Sequence, residues 1–257
     1  MATTEDKHRS TDALISHASS AAQPFNETSS LAGAPTGAQS ANTESTRTGS
    51  AAFTAVNSLQ QDLINTMTDL HQRGWCDGTG GNFSVVANRD PLTLLMAPSG
   101  VDKGRVTADA LIEVNADGNV TQGNGRASAE TLMHLQIVER CQCGAVLHTH
   151  SANATVLSRQ ALHRGCIELE GWEMLKGLRG ITTHETTIRV PVINNNQDLE
   201  ILCETAKPLL PEAPYGLLVA GHGLYAWGTT LKEARRHIEI LEFLLNVHWK
   251  QQLLGIR

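Results

Sequence analysis

The chain has 257 residues, of which 40% are hydrophobic and 18% are charged, and its formal net charge is −6. This length suits one good-sized core or two small ones. A negative net charge without any basic run argues against nucleic-acid binding, and no apolar stretch is long enough to span a bilayer. Five cysteines at irregular spacings imply no disulfide framework, and the N-terminus lacks a signal-peptide layout, so we expect a cytoplasmic protein.

Residues 1–50 differ in composition from everything that follows them. They are rich in Ser, Thr, Ala, Asn and Gln and contain very few large apolar side chains. Such a segment cannot bury enough apolar surface to offset the entropy lost on ordering. The sequence therefore predicts a disordered, low-complexity tail over residues 1–50 and one folded domain over residues 51–257.

The folded part is expected to begin with a helix and a glycine-rich turn. Apolar residues recur at helical spacing, and a glycine that can cap the helix follows them: Leu59, Leu63, Met67, Leu70 and Gly74. A glycine cluster over residues 78–81 then leads into an apolar strand over residues 83–86. Glycines let backbone N–H groups approach an anion closely, which is compatible with a phosphate site, although a tight turn before a strand is the simpler explanation.

Short strands and turns are predicted next. Residues 92–97 form a strand that ends in a turn of small residues over 98–104, and residues 112–120 form a hairpin. Ser128 is predicted to cap a helix over residues 129–140.

That helix would carry two chemically interesting side chains on one face. Glu130 falls in its first turn, and His134 follows one turn later. We interpret His134 as an ordinary helix residue, either packed or solvated.

The segment 145–151 is an apolar run that ends in two histidines, His148 and His150. On a β-strand these side chains point to the same face, about 7 Å apart. Two neutral imidazoles there can converge on a divalent metal, most plausibly zinc, although a strand end with two ordinary histidines fits the pair alone equally well. His222, between Gly221 and Gly223, is a third candidate, and three histidines with an open position are typical of a catalytic zinc site.

Two cysteines that precede the histidine pair suggest an alternative metal site. Cys141 and Cys143 could complete a Cys₂His₂ set with His148 and His150. In an unbroken strand, however, the cysteines face away from the histidines, so we interpret them as buried structural residues.

The C-terminal part is expected to alternate helices and strands. Residues 171–177 have helical character, and Glu173 lies one turn from Lys176, which an exposed ion pair explains. The remaining predicted elements are a strand over 190–193, a helix over 199–206, strands over 217–220 and 224–227 that flank the His222 turn, and a last helix capped by Thr230 and Glu233.

Six segments, in this order and spacing, resemble the motifs of the class II aldolase/adducin family: 78–84, 99–104, 128–130, 148–151, 173–177 and 221–228. The resemblance covers about residues 59–244, nearly the whole folded part. It implies a mixed α/β domain with a central, mostly antiparallel sheet flanked by helices. It also implies a homotetramer with active sites near the subunit boundaries.

The resemblance further implies which residues form the site. One zinc ion per subunit would be held by His148, His150 and His222. The phosphate-binding turns would be formed by Gly81, Asn82, Ser99, Gly100 and Ser128. Glu173 would be the catalytic acid/base, and Glu130 would ligate the resting metal or act as a base, although relatives can carry a cysteine at that position.

The activity that the resemblance implies is that of a lyase. A hydro-lyase of this type removes water from 5-methylthioribulose 1-phosphate to give 2,3-diketo-5-methylthiopentyl 1-phosphate, a step of methionine salvage, and its partners are small-molecule sugar phosphates rather than nucleic acids or membranes. An aldolase or epimerase acting on another sugar phosphate is the nearest alternative. A non-enzymatic scaffold like the head domain of adducin is a second, but it would be expected to lack the ligand histidines.

Overall fold

The computed structural model describes residues 44–255, with side chains from residue 58 onward. The helices of this part are α1 (Glu44–Gln72), α2 (Thr131–Cys141), α3 (Ala152–Ala161), α4 (Leu199–Ala206) and α5 (Leu231–Leu254). The strands are β1 (Asn82–Arg89), β2 (Leu92–Met96), β3 (Ile112–Asn115), β4 (Val120–Gln122), β5 (Ala145–Thr149), β6 (Cys166–Glu170), β7 (Thr187–Ile193), β8 (Gly216–Val219) and β9 (Gly223–Gly228). Most helices and strands thus occur where the apolar patterns predict them, but strand β6 was not predicted, and the segment predicted to be helical over 171–177 forms a 3₁₀-helix at 173–177.

The predicted tail over residues 1–50 overlaps the described residues at one end. Helix α1 begins at Glu44, so its first turns lie inside the segment that was expected to be disordered. Residues 1–43 lie outside the described residues, and the prediction for them stays a prediction.

The strands of the described part form one sheet in the order β4-β3-β2-β1-β5-β9-β8-β7-β6. Neighbouring strands are antiparallel except for β7 and β8, which are parallel. The prediction of a mostly antiparallel sheet is therefore confirmed. Strand β5 lies in the middle of this order and is buried along its whole length, so His148 lies in the central strand of the sheet and His150 directly after it.

Helices cover both faces of the sheet, and the alternation of side chains along β5 shows how. Leu147 packs into the cluster that includes Leu63 of α1, Leu157 of α3 and Leu241 of α5. Val146, one residue earlier, faces the opposite cluster, to which α2 and α4 contribute. Residues of alternate parity point to opposite faces of a strand, so His148 shares the face of Val146.

Local sequence explains where the helices that frame the site begin and end. Gly74 adopts a left-handed conformation (φ +72°) and donates its N–H to the carbonyl of His71, ending α1 as predicted. Thr230 accepts a hydrogen bond from the N–H of Glu233 at the start of α5, which confirms the predicted cap. Among the described residues, no helix combines the length and the apolar character that crossing a membrane requires.

Candidate active site

His148 lies at the end of the central strand with its ring fully buried. Its Nδ1 lies 3.0 Å from the carbonyl oxygen of Leu224 on β9, and a carbonyl can only accept, so Nδ1 carries the proton. The lone pair of the ring is then on Nε2. The ring of Tyr225 stacks on that of His148 with centroids 3.9 Å apart and holds it in this orientation.

His150 and His222 reach the same point from two neighbouring turns. His150 follows the end of β5, and its backbone N–H donates to the carbonyl of Trp75 at 2.7 Å. His222 stands on the turn between β8 and β9, where its N–H donates to Val219 and its carbonyl accepts from Thr155 Oγ1 at 3.0 Å. The turn between strands that the sequence predicted for His222 is confirmed.

The three histidines present their Nε2 atoms to one another. The distances are 2.8 Å between His148 and His150, 3.3 Å between His148 and His222, and 3.1 Å between His150 and His222. Nitrogen lone pairs that face each other repel unless a cation lies among them. Three nitrogen ligands at about 2.0–2.1 Å from one tetrahedral zinc ion lie about 3.3 Å apart, so this donor set fits a divalent cation.

Glu130 adds a carboxylate to this cluster from the residue before α2. Its Oε1 lies 3.0 Å from Nε2 of His222, its Oε2 lies 3.7 Å from Nε2 of His148, and the side-chain amide of Asn82 donates to it. One possible donor atom from each of Glu130, His148, His150 and His222 lies within 4.8 Å of the others. The cluster thus has the ligand types of a zinc site.

The protonation states of these groups suit a cation. Burial lowers the pKa of His148 and of His150 below their usual value, so both rings are neutral at neutral pH, the form in which imidazole binds metals. Burial acts to raise the pKa of Glu130, but its interactions with His222, His148 and His150 outweigh burial and lower that pKa to about 2. A carboxylate and neutral imidazoles therefore face one another.

The motif order and this geometry agree with a comparison of the chain with known families. Residues 61–249 match the model described as the class II aldolase and adducin N-terminal domain. The chain belongs to the class II aldolase and adducin family.

Relatives from bacteria within this family are closely similar to the chain. The methylthioribulose-1-phosphate dehydratase of Xanthomonas campestris pv. campestris (strain 8004) is 43% identical over 204 residues, which cover 79% of this chain and 92% of the relative. That of Sorangium cellulosum (strain So ce56) is 41% identical over 198 residues, covering 76% of this chain and 92% of the relative. Both matches span nearly the full length of the relative.

Solved structures of class II aldolases share the fold. L-fuculose-1-phosphate aldolase from Thermus thermophilus matches with a TM-score of 0.64 and 26% identity, over 77% of this chain and 97% of that one. A sugar-phosphate aldolase from Thermotoga maritima matches with a TM-score of 0.56 and 16% identity, over 79% of this chain and 98% of that one, which shows the fold alone. The predicted fold class is therefore confirmed.

The glycine cluster before β1 packs directly against the histidine pair. A Cβ atom on Gly80 would lie 3.0 Å from Nδ1 of His150, and one on Gly81 would lie 2.8 Å from the carbonyl oxygen of His148. Gly81 also adopts a left-handed conformation (φ +76°). Glycine is therefore required here for close approach to the histidines, whatever role its N–H groups have with an anion.

The other residues predicted to bind phosphate are connected to the cluster through hydrogen bonds. Asn82 touches Glu130 directly, and the N–H of Glu130 donates to Ser128 Oγ at 3.3 Å. The N–H of Ser99 donates to the carbonyl of Arg126, so this backbone group is already used, and Gly100 beside it is left-handed (φ +80°). The structure places Asn82 and Ser128 beside Glu130 and joins the Ser99 turn to the segment before Ser128, while their role in binding phosphate stays a prediction.

The prediction that Ser128 caps α2 is wrong. The helix begins at Thr131, and the residue in the cap position is Glu130, whose side chain makes no capping bond. Ser128 instead accepts from Glu130 N–H in a turn that precedes the helix. The side chain of Glu130 is thereby free to point into the histidine cluster.

Glu173 lies outside the cluster in the single chain. It starts a short 3₁₀-helix (Glu173–Gly177), and its side chain is 71% exposed. Its Oε1 pairs with Nζ of Lys176 at 2.7 Å, and Oε2 lies 3.6 Å from Nδ1 of His184. The structure thus shows the ion pair that the sequence suggested and does not bring Glu173 to the histidines of its own chain.

The cysteines and His134 have the structural roles that the sequence indicated. All five cysteines are free thiols. Cys141 ends α2 and Cys143 precedes β5, so the strand on which the parity argument rested does not reach them. Cys143 is buried as predicted, whereas Cys141 is partly exposed, and the cluster that could hold a metal contains neither. His134 is fully buried, with Nδ1 2.7 Å from Ser84 Oγ.

Glu242 supports the site from behind and was missed in the sequence. It is buried on α5, where its carboxylate accepts from Thr149 Oγ1 at 2.7 Å and from Ser151 Oγ at 2.5 Å. These two hydroxyls flank His150, and Ser151 also caps α3 through the N–H of Ala154. The sequence does carry a signal for Glu242: it is a charged residue one turn after Ile238, on the apolar face of the last helix.

We expect Glu242→Leu to destabilise the protein by about 2 kcal/mol or more, because it leaves two buried hydroxyls without their acceptor. Glu242→Gln, which keeps an acceptor and the shape, should cost less than about 1 kcal/mol. Denaturant unfolding of the two variants and the wild type measures both values, and equal stability of all three would show that the two hydroxyls do not depend on Glu242.

The contribution of Glu242 to the free energy of unfolding should depend on pH, because burial raises the pKa of Glu242 above the usual 4.5. The folded state then binds the proton more tightly than the unfolded state, so this group stabilises at low pH, and the contribution is lost as pH rises through the raised pKa. The stability of the wild type relative to Glu242→Gln should therefore fall as pH increases above 4.5. A difference that grows with pH in unfolding experiments would contradict this.

Proposed function

We propose that this chain removes water from 5-methylthioribulose 1-phosphate to give 2,3-diketo-5-methylthiopentyl 1-phosphate. The observation that carries the proposal is 43% identity to a methylthioribulose-1-phosphate dehydratase over 92% of that relative. The convergence of three histidines and a carboxylate supports it, because a lyase of this kind needs a cation beside the reacting carbon atoms. The metal-ligand histidines that an adducin-like scaffold would be expected to lack are all present.

The residues that would hold the cation are His148, His150 and His222, with Glu130 as a carboxylate beside them. We infer zinc, one ion per chain, because imidazole nitrogens at this spacing suit a tetrahedral ion with an open position. When bound, zinc supplies a positive charge that polarises the C2 ketone of the substrate and makes the C3 proton more acidic. The hydrogen bond to Leu224 fixes the imidazole of His148 in advance of binding, and the backbone bond to Trp75 fixes the main chain that carries His150.

The remaining chemistry is proton transfer by carboxylates of the chain. A carboxylate removes the C3 proton, and the electron pair left at C3 is shared with the C2 carbonyl. The C4 hydroxyl then leaves as water once an acid has protonated it, which forms a C3–C4 double bond bearing the C3 hydroxyl. Tautomerisation of this enol gives the 2,3-diketone, so the net loss is one water molecule.

We assign the acid/base role to Glu173 and infer that it acts in the site of a second copy. In the single chain it is exposed and paired with Lys176, whose hydrogen bond and charge hold the pKa of Glu173 below its usual value. A general acid at neutral pH needs a raised pKa, which burial against another subunit would supply. A homotetramer, as the family resemblance implies, would provide such a boundary.

The phosphate of the substrate is assigned to the turns that contain Gly81, Asn82, Ser99, Gly100 and Ser128. Asn82 and Ser128 are hydrogen-bonded to Glu130 beside the cluster, and the turn of Ser99 is bonded to Arg126, two residues before Ser128, so these segments lie where the phosphorylated end of a substrate would need partners. Left-handed glycines at two of these turns expose backbone N–H groups, which can bind an anion.

We also infer that the protein works in the cytoplasm, within methionine salvage. The five free thiols are typical of a reducing compartment. Methionine salvage is the route to which a methylthio sugar phosphate belongs by its chemistry.

An aldolase acting on a related sugar phosphate is the second candidate. Two features favour it: the similarity to L-fuculose-1-phosphate aldolase and the glutamate at position 130. Such an enzyme would also delocalise negative charge into a C2 ketone, but it would break a C–C bond and release an aldehyde and a three-carbon ketone phosphate.

The assay that decides between these functions uses the purified, zinc-loaded chain and 5-methylthioribulose 1-phosphate. We expect one product that retains both the methylthio and the phosphate group and absorbs as a 2,3-diketone. Two fragments, an aldehyde and a ketone phosphate, would instead establish the aldolase. No reaction with this substrate would overturn the proposed function.

A further inference from the structure

Lys103 is a buried lysine that none of the roles assigned above uses. Only 2% of its surface is exposed, and its Nζ donates to the carbonyl oxygens of Thr79 and Val101, each at 3.0 Å. Burying an ammonium group costs several kcal/mol unless it is well paired, so such a residue requires an explanation.

Within the described part of the chain, no acidic partner explains this burial. The carboxylate of the adjacent Asp102 lies against Arg105 and His71, and that of Glu130 lies against His222. Burial accordingly lowers the pKa of Lys103. An ammonium has three N–H donors, and among the described residues two of them have partners, both neutral carbonyls.

The two carbonyls belong to the two turns that were assigned to phosphate. Thr79 lies in the glycine cluster that ends at Gly81, and Val101 follows Gly100. Lys103 is therefore a bridge between segments far apart in sequence, and both segments contain a left-handed glycine.

We propose that Lys103 is a positioning residue of the phosphate site: its ammonium holds the two turns together and supplies the positive charge that selects a phosphate dianion. The chain as a whole has a formal net charge of −6, so a dianion is attracted only where the protein places local positive charge. A charge buried in a low dielectric acts more strongly than an exposed one. The inference rests on the proposed function, since phosphate binding by these turns is part of it.

Two variants separate the charge from the packing. Lys103→Met keeps most of the buried volume and removes the donors, whereas Lys103→Gln removes the charge and keeps two N–H donors on a side chain one bond shorter. Lys207→Met is the matched control, because Lys207 is a partly exposed lysine just after α4 that pairs with Glu204. The measured quantities are the affinity for inorganic phosphate, followed by calorimetry, and the separate values of kcat and KM for the phosphorylated substrate.

We expect both Lys103 variants to bind inorganic phosphate at least about tenfold more weakly than the wild type, with a similar rise in KM, a smaller change in kcat and unchanged zinc content. Lys207→Met should match the wild type in all four. Unchanged phosphate affinity in Lys103→Gln would show that the lysine only supports packing and would overturn the proposal.

A measurement on the wild type keeps the proposal testable if neither variant folds. Lysine labelled with ¹⁵N should show one slowly exchanging ammonium signal, because among the described lysines Lys103 is the buried one. This signal should shift on addition of inorganic phosphate, and its failure to shift at saturating phosphate would overturn the proposal. If the protein binds phosphate in a way that depends on Lys103 but does not dehydrate the substrate, the proposed function alone is refuted. If Lys103→Gln dehydrates the substrate with the KM of the wild type, this inference alone is refuted.

Discussion

His148→Ala is expected to lower kcat by at least about 10³-fold and to reduce bound zinc well below one ion per chain, while the fold is retained. A metal ion in such a site contributes several kcal/mol to the transition state, which corresponds to this factor. The variant removes a ring whose Nε2 is 2.8 Å and 3.3 Å from those of the other two histidines. Metal analysis, turnover and thermal unfolding of the same preparation measure all three effects.

The matched control for this variant is His163→Ala, since His163 is exposed and bonds only to the carbonyl of Gln160 within the described residues. It should retain full zinc content and turnover. If His148→Ala keeps both as well, the cluster is not the metal site. If it unfolds, its loss of activity says nothing about metal binding, and His222→Ala, on a surface turn, replaces it.

Glu173→Gln is expected to lower kcat by at least about 10³-fold with zinc content and stability unchanged. The amide preserves shape and hydrogen bonding but cannot carry a proton, and general acid–base catalysis contributes about 10²- to 10⁴-fold, with more lost when one residue serves both steps. Exchange of the C3 hydrogen of the substrate with deuterated solvent should vanish together with turnover. Glu168→Gln is the matched control, because Glu168 is an exposed carboxylate in a similar ion pair, with Arg189.

Three outcomes of the Glu173 experiment lead to different conclusions. Exchange of the C3 hydrogen without loss of water would make Glu173 the acid alone and Glu130, 3.0 Å from His222, the first candidate for the base. Near-normal turnover would reduce Glu173 to a surface residue paired with Lys176. Loss of both, as expected, assigns the removal of the C3 proton to Glu173.

Mixing two inactive variants tests whether Glu173 acts across a subunit boundary. A subunit with Glu173→Gln retains its histidine cluster, and one with His148→Ala retains its Glu173, so a mixed oligomer contains some complete sites if the residues come from different chains. We expect refolded mixtures to regain part of the wild-type activity. If mixed oligomers form but stay inactive, Glu173 does not act on the cluster of another copy.

Much of the fold and of the cluster could be predicted because the relevant patterns are local. The apolar run of β5 places His148 near the end of a buried strand and His150 just after it, and the two glycines around His222 fit a turn between strands. The convergence of the three histidines could be expected from these short patterns and the family resemblance.

The parts that sequence could not predict depend on contacts between distant segments. Glu130 meets the histidines because β1 pairs with β5 and places Asn82 opposite His148, which periodicity does not reveal. The burial of Lys103 depends on carbonyls of two separate turns, and the hydroxyl partners of Glu242 belong to another element. For Glu173 the difference runs the other way: the family resemblance names it as a catalytic residue, but in the single chain its side chain is exposed and lies outside the histidine cluster.

The measurement that tests the central claim most directly is a zinc titration of the metal-free wild type, with turnover of 5-methylthioribulose 1-phosphate and bound metal determined in the same samples. The account predicts negligible turnover without metal and a linear rise that ends at one zinc ion per chain, because the four donor atoms of Glu130, His148, His150 and His222 form one site. Full turnover in the metal-free protein would contradict it.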